Sequence, residues 1–229
     1  DVKLDIADLE KKYDAVLEPI FKNSLPEMLR PVSVAYDKGC DLLINKAPGT
    51  IAKPKVLIPV FPGTNCEYDM AAAFNRYGGE AEIFVIRNLS AKNMEDSVNE
   101  FAKRIENSQM IAVPGGFSGG DEPEGSAKFI NAFFRNPKIK DAVENMLYAR
   151  DGLMIGICNG FQALIKLGLV PFGKIVPLSS ESPTLTYNTI GRHQSQLALT
   201  KICTNKSPWL MHCKVGEVYN IPISHGEGR

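Results

Sequence analysis

Between residues 55 and 169 the chain alternates short apolar runs with stretches of helical spacing, and this alternation limits its fold more than any other feature. The apolar runs fall at residues 56–61, 81–86, 110–113 and 153–157. Each is too short for a helix and reads as a buried strand. Between them lie helical patterns at 64–77, 94–106, 126–134 and 139–149, and a further one at 161–167 follows the last strand. Thr64 and Glu67 have the spacing of a capping box at the start of the first of these, and Gly78-Gly79 supplies its stop. Strands of this kind separated by helices predict an α/β fold: an open, mainly parallel sheet with helices on both faces. After residue 169 the texture changes. Residues 195–203 alternate with period two and residues 217–223 look extended, which predicts a small antiparallel extension.

The fourth strand runs Leu153-Met-Ile-Gly-Ile-Cys158-Asn-Gly-Phe-Gln162 into the next helix. Gly156 and Gly160 flank Cys158 where a side chain would crowd a sharp strand-to-helix turn. A thiol at a helix N-terminus meets unpaired backbone N–H groups and the positive end of the dipole, so its thiolate is favoured. A buried cysteine packed between strand and helix would carry the same pattern. The far end of the chain favours a nucleophile. Ser224-His225-Gly226-Glu227 places an imidazole and a carboxylate two residues apart, on one face of an extended segment. Cys158, His225 and Glu227 then read as nucleophile, base and orienter. A third segment, Val113-Pro-Gly115-Gly116-Phe-Ser-Gly119-Gly120-Asp121, is a strand entering a glycine-rich loop. The N–H groups of Gly115 or Gly116, with that of Asn159, are candidate donors to an oxyanion. The loop lacks a P-loop's Lys-Ser/Thr ending and does not match Gly-x-Gly-x-x-Gly, so it offers little to a nucleotide.

These three segments, in this order, resemble the class I (triad-type) glutamine amidotransferases, and among them the glutaminase domain of phosphoribosylformylglycinamidine synthase. Val60-Phe-Pro-Gly-Thr-Asn65-Cys-Glu-Tyr-Asp69 is similar to that family's first strand and turn, and the resemblance covers residues 55–229. It implies a flavodoxin-like sheet, L-glutamine as substrate, and roles in substrate binding for Gln162 and for Asn188 within Tyr187-Asn188-Thr-Ile-Gly-Arg192-His193. It implies a synthetase domain or subunit as partner. That part would carry ATP and Mg²⁺ and use the ammonia to convert formylglycinamide ribonucleotide to formylglycinamidine ribonucleotide. No cofactor and no metal is expected in this chain. Gly119 stands where relatives often have tyrosine, and an extra glycine is expected to loosen the loop. The resemblance also makes residues 1–50 an N-terminal extension, the end of a preceding synthetase region plus a linker. Residues 51–229 are then the glutaminase domain, stopping short of the family's usual end. Another cysteine-elbow hydrolase or stress-response protein, or a non-catalytic regulatory domain of a synthetase, are the competing readings.

Composition narrows the classes further. Basic and acidic residues number 26 each, so no excess of positive charge points to nucleic acid or an anionic membrane surface. No apolar run approaches the ~18 residues of a membrane span. Five cysteines at scattered spacings argue against a disulfide framework and fit a reducing cytoplasm. Cys66, near a helix start, is expected to be a packing residue, and residues 209–213 a packed edge segment. His193 lacks the neighbouring carboxylate that Glu227 offers His225.

Overall fold

The structure is a computed structural model that describes residues 3–17, 51–120 and 127–229. Its contacts divide the chain into two units, Asp1–Leu42 with Thr186–Arg229, and Leu43–Leu185. The expectations for residues 18–50 lie outside the described residues, as do Asp121 and Ser126.

The Leu43–Leu185 unit contains a four-stranded sheet. Its strands are β1 (Lys55–Val60), β2 (Glu80–Val85), β3 (Met110–Val113) and β4 (Leu153–Gly156). They lie in the order β2-β1-β3-β4, and every neighbouring pair is parallel. Each strand is a residue or less from its expected limits. Parallel neighbours need crossovers, and helices supply them. In chain order the helices are α1 (Ile6–Leu17), in the other unit, then α2 (Glu67–Arg76), α3 (Ala91–Glu106), α4 (Lys128–Phe134), α5 (Pro137–Glu144), α6 (Asn159–Leu167) and the single turn α7 (Leu169–Phe172), and α2 to α5 lie in the crossovers. The expected helix over 139–149 is broken: α5 ends at Glu144, and a π-helical turn, Asn145–Ala149, follows it. Arg150 stabilises this corner. Its guanidinium donates to the carbonyls of Ile105, Glu106 and Ser108 at 2.7, 2.8 and 3.0 Å, which closes the C-terminus of α3.

Alternation along β1 and β3 sorts the core onto two faces. Leu57, Ile111 and Val113 join one cluster with Phe101 and Ile105 of α3, Ile130, Phe133 and Phe134 of α4, and Leu167 of α6. Val56, Ile58 and Ala112 join Met70 and Ala71 of α2 in the other. Phe61, the first residue past β1, packs edge-on against Phe133 with ring centroids 5.3 Å apart. The exit of β1 is thereby fixed to a buried aromatic cluster.

The second unit holds an antiparallel pair, β5 (Gln194–Lys201) and β6 (Val218–His225), in register from Gln194↔His225 to Lys201↔Val218. Residues 209–213 are not a packed edge. Pro208–Leu210 is a 3₁₀ turn, and His212 after it is exposed. The turn ends in a polar clasp: Lys214 N and Tyr219 Oη both donate to Glu217 Oε2, at 3.0 and 2.7 Å. The backbone donor, then the phenol, hold the Glu217 carboxyl below the usual range. The acceptor in turn pushes Tyr219 up to about 12. The phenol keeps its proton, and hence the clasp, until the pH rises through that value. An ultraviolet titration should show one of the seven tyrosines ionising near pH 12. Glu217→Gln should move that tyrosine back toward about 10.

Candidate active site

The first half of the site is built where β4 turns into α6. Cys158 occupies the N-cap position of α6 with φ 51 and ψ −107, and its side chain is exposed. A non-glycine residue at positive φ is strained, and such strain persists only where the surroundings enforce it. Here glycine neighbours do so. A Cβ on Gly160 would lie 2.1 Å from the carbonyl oxygen of Val113, and one on Gly156 would lie 2.5 Å from Gly160 C and O. The helix therefore starts hard against the end of β3, and Cys158 projects outward.

The glycine-rich loop comes to the same place. A Cβ on Gly115 would meet Cys158 Cβ at 3.3 Å, so this loop passes directly beside the thiol-bearing residue. It is tied to the loop after β1 by a short antiparallel seam. Asn65 N donates to Gly115 O, Phe117 N to Gly63 O and Gly119 N to Pro62 O, all at 2.8 Å. Gly116 has φ +116 and lies so close to the opposite strand that an added Cβ would be 2.6 Å from Asn65 N and Gly63 O. Gly119, where the extra glycine falls, adopts φ +67 within this seam. Among the described residues, neither the Gly115 nor the Gly116 N–H donates an internal hydrogen bond. Asn159 is the first residue of α6, so its N–H lies in the first turn of the helix.

Asn159 also braces the loop. Its side-chain oxygen accepts from Ser118 N at 3.2 Å, and its amide donates to Gln162 Oε1 at 3.0 Å. Gln162 is buried rather than a surface amide. Cys158, Gly115, Gly116, Asn159 and Gln162 are thus brought together within one unit.

Two expectations near this site fail. Thr64 does not cap α2. Its hydroxyl instead accepts from Phe61 N at 2.6 Å and donates to the Phe61 carbonyl, closing a tight turn at the end of β1. The N-cap position falls to Cys66, in a left-handed conformation with no side-chain cap, and Glu67 Oε2 is buried without a hydrogen bond. Cys66 is exposed and is not a packing residue.

The other unit positions His225 and Glu227. His225 is the last residue of β6, opposite Gln194. Beyond it the chain pairs with residues 186–188: Thr186 N donates to Arg229 O at 2.9 Å, and Asn188 N to Gly226 O at 2.8 Å. Glu227 lies opposite Tyr187 in this pairing. Asn188 is buried, and its Oδ1 lies 2.9 Å from His225 Nδ1. His193 Nε2 lies 2.9 Å from Ser224 Oγ. The bond from Asn188 to the imidazole joins residues 37 apart, and no local spacing in the sequence signals it. Among the described residues, no group of three or more His, Cys, Asp or Glu could hold a metal ion.

Comparison with known proteins bears on this arrangement. The model of the CobB/CobQ-like glutamine amidotransferase domain matches residues 53–229, more than three quarters of the chain. The chain belongs to that family. Among curated relatives of this amidotransferase domain is the phosphoribosylformylglycinamidine synthase subunit PurQ of Dehalococcoides mccartyi, 33% identical over 180 residues. The match spans 78% of this chain and 64% of the relative. The PurQ of Symbiobacterium thermophilum is 31% identical over 171 residues, 75% of this chain and 60% of that protein. The chain therefore spans under two thirds of the length of these relatives. A solved structure titled as PurLQS from Thermotoga maritima matches with a TM-score of 0.56 and 27% identity, over 77% of this chain and 68% of that one. The parallel sheet with its small antiparallel pair agrees with the expected amidotransferase architecture. No helix among the described residues is long and apolar enough to cross a membrane.

Proposed function

We propose that residues 51–229 form a glutaminase domain, with residues 1–50 as an extension, and that it supplies ammonia to a phosphoribosylformylglycinamidine synthetase in the cytoplasm. The observation that carries this reading is the strained Cys158 elbow lying against the Gly115–Gly116 loop. The names of the PurQ relatives support the pathway, and the PurLQS neighbour supports a synthetase partner.

The Cys158 thiolate attacks the carboxamide carbon of L-glutamine, and the C–O π electrons move onto oxygen. N–H groups of Asn159 and of Gly115 or Gly116 receive that oxyanion; one such donor is typically worth about 3 kcal/mol of barrier. The tetrahedral species collapses with cleavage of the C–N bond, and His225 gives a proton to the departing ammonia. A water then attacks the thioester, passing its proton to His225. The C–S bond breaks, and glutamate and the thiolate are regenerated. Glu227 steadies the imidazolium. Gln162 and Asn159 hold the pocket wall. ATP and Mg²⁺ act in the synthetase, where ammonia replaces the amide oxygen of formylglycinamide ribonucleotide.

A glutamine-mimicking diazo-ketone tests this reading. Intact mass and peptide mapping should find one adduct, on Cys158, that excess glutamine blocks. Cys158 that reacts with a small alkylating agent but never with the diazo-ketone, even with a synthetase partner present, would overturn the assignment in favour of another cysteine hydrolase.

A further inference from the structure

We propose that the cleft bounded by α4, the C-terminal half of α6 and the segment after α7 binds the phosphate group of a small molecule. Nothing in this site rests on the chemistry at Cys158.

The cavity measures about 560 Å³ and lies wholly within the Leu43–Leu185 unit. Small-molecule sites span about 300–1,000 Å³. Its walls come from three elements. Lys128 and Arg135 come from α4 and its C-cap, Lys166 from α6, and Ser179, Ser180 and Ser182 from the segment after α7. No residue of the Cys158 elbow lines it. Lys166 lies eight residues beyond Cys158, about 12 Å along the helix.

Charge selects the ligand. The whole chain balances 26 basic against 26 acidic residues, yet three cationic side chains line this cavity and no carboxylate does. Glu181 is in the same segment but is exposed and outside the lining. Charges of one sign around a concave wall focus the field and draw in the opposite ion. One nitrogen of the Arg135 guanidinium donates to Lys166 O at 2.8 Å, which ties α4 to α6, while its Nε is buried with no hydrogen-bond partner. Asn131, also in the lining and 4% exposed, leaves Oδ1 equally unpartnered. Buried polar groups are nearly always paired, so two orphans in one wall call for a partner from outside the chain.

The serines form a built wall. Ser182 N donates to Ser179 O at 3.1 Å, and Ser179 N to Ser182 Oγ at 2.9 Å. The two hydroxyls lie 3.2 Å apart. That contact uses one of their two hydroxyl hydrogens, so the other is left to donate elsewhere. A phosphate monoester, with three acceptor oxygens and close to two negative charges, matches three cations and a serine turn better than a carboxylate with two oxygens and one charge. Leu178 and Ala132 add apolar wall, and the cavity leaves room for an organic body beyond the phosphate.

The test titrates the full ¹⁵N-labelled chain with ribose 5-phosphate, inorganic phosphate and ribose at constant ionic strength. Saturable shifts at the amides of residues 128–135, 166 and 178–184 are expected with the ester, and none with ribose. Inorganic phosphate binding as tightly as the ester would make free phosphate the ligand; tighter binding of the ester would make it a phosphate ester. Lys128→Gln and Lys166→Gln should each weaken binding about tenfold or more, the loss of one charge-assisted hydrogen bond. Lys138→Gln removes an equal charge from an exposed position outside the cavity and should leave binding unchanged. Lys128 is exposed, so its replacement leaves the core intact and the comparison stays readable. Shifts that never saturate, that ribose reproduces, or that weaken as much in Lys138→Gln would overturn the proposal. So would full affinity in Lys128→Gln and Lys166→Gln.

Discussion

Cys158→Ala is expected to abolish glutamine hydrolysis, by a factor on the order of 10⁴ or more, with the fold retained. Nucleophilic catalysis splits one difficult acyl transfer into two easier ones, and nothing near Cys158 substitutes for the thiolate. Loss of a nucleophile in a comparable constellation costs most of the rate that the group supplies. The fold should survive, because Cys158 is exposed and its strain comes from the backbone around it. Replacing a strained cysteine by alanine removes only a sulfur that projects from the surface. Steady-state glutaminase assays beside thermal unfolding separate the two effects. Activity within tenfold of the unsubstituted chain would rule out Cys158 as the nucleophile.

The second large effect comes from a residue with no chemistry of its own. Gly160→Ala places a methyl carbon 2.1 Å from the Val113 carbonyl oxygen and 2.7 Å from its carbon. Neither atom belongs to a flexible side chain. The start of α6 or the end of β3 must move, and β3 is buried in the sheet between β1 and β4. Overpacking of this kind costs about 1–3 kcal/mol, and the rigidity of both partners argues for the upper end. Rate should suffer more than stability. A displacement of α6 carries Cys158 away from the Gly115 loop, and about 1 Å of misplacement can cost on the order of 10²-fold. The expected result is therefore a folded protein, lowered in Tm, with Cys158 still open to a small alkylating agent but slow with glutamine. Unimpaired turnover in Gly160→Ala would show that the elbow tolerates movement and that its tight approach to β3 is not needed.

These two residues were also the most legible parts of the sequence. Gly156, Cys158 and Gly160 form a local pattern, and short-range sterics alone set what such a turn can be. The strands were equally readable, since β3 falls on the apolar run at 110–113 without adjustment. Failures arose where two local signals competed. Thr64 and Glu67 carry a capping-box spacing, yet the Thr64 hydroxyl is closer to Phe61 and closes a turn there. The helix consequently starts later, through a left-handed Cys66 that no spacing rule anticipates. The π-helical turn at Asn145–Ala149 is hidden for a similar reason, because its apolar periodicity continues that of α5. Asn188 marks a different limit. Its side chain meets His225 across 37 residues. Pairing of that range depends on how residues 186–188 meet residues 226–229, which only the folded chain displays.

The seam between the two loops leaves a mark on how this protein can drift over evolutionary time. Its three bonds run from main chain to main chain, so they ignore the identity of most side chains along residues 62–65 and 115–119. Only Gly63 and Gly116 are irreplaceable there, each lacking room for even a methyl group. Lineages can therefore change side chains along these two loops without displacing the backbone that passes beside Cys158. The geometry of this elbow is stored in an alphabet that mutation at neighbouring positions does not write in.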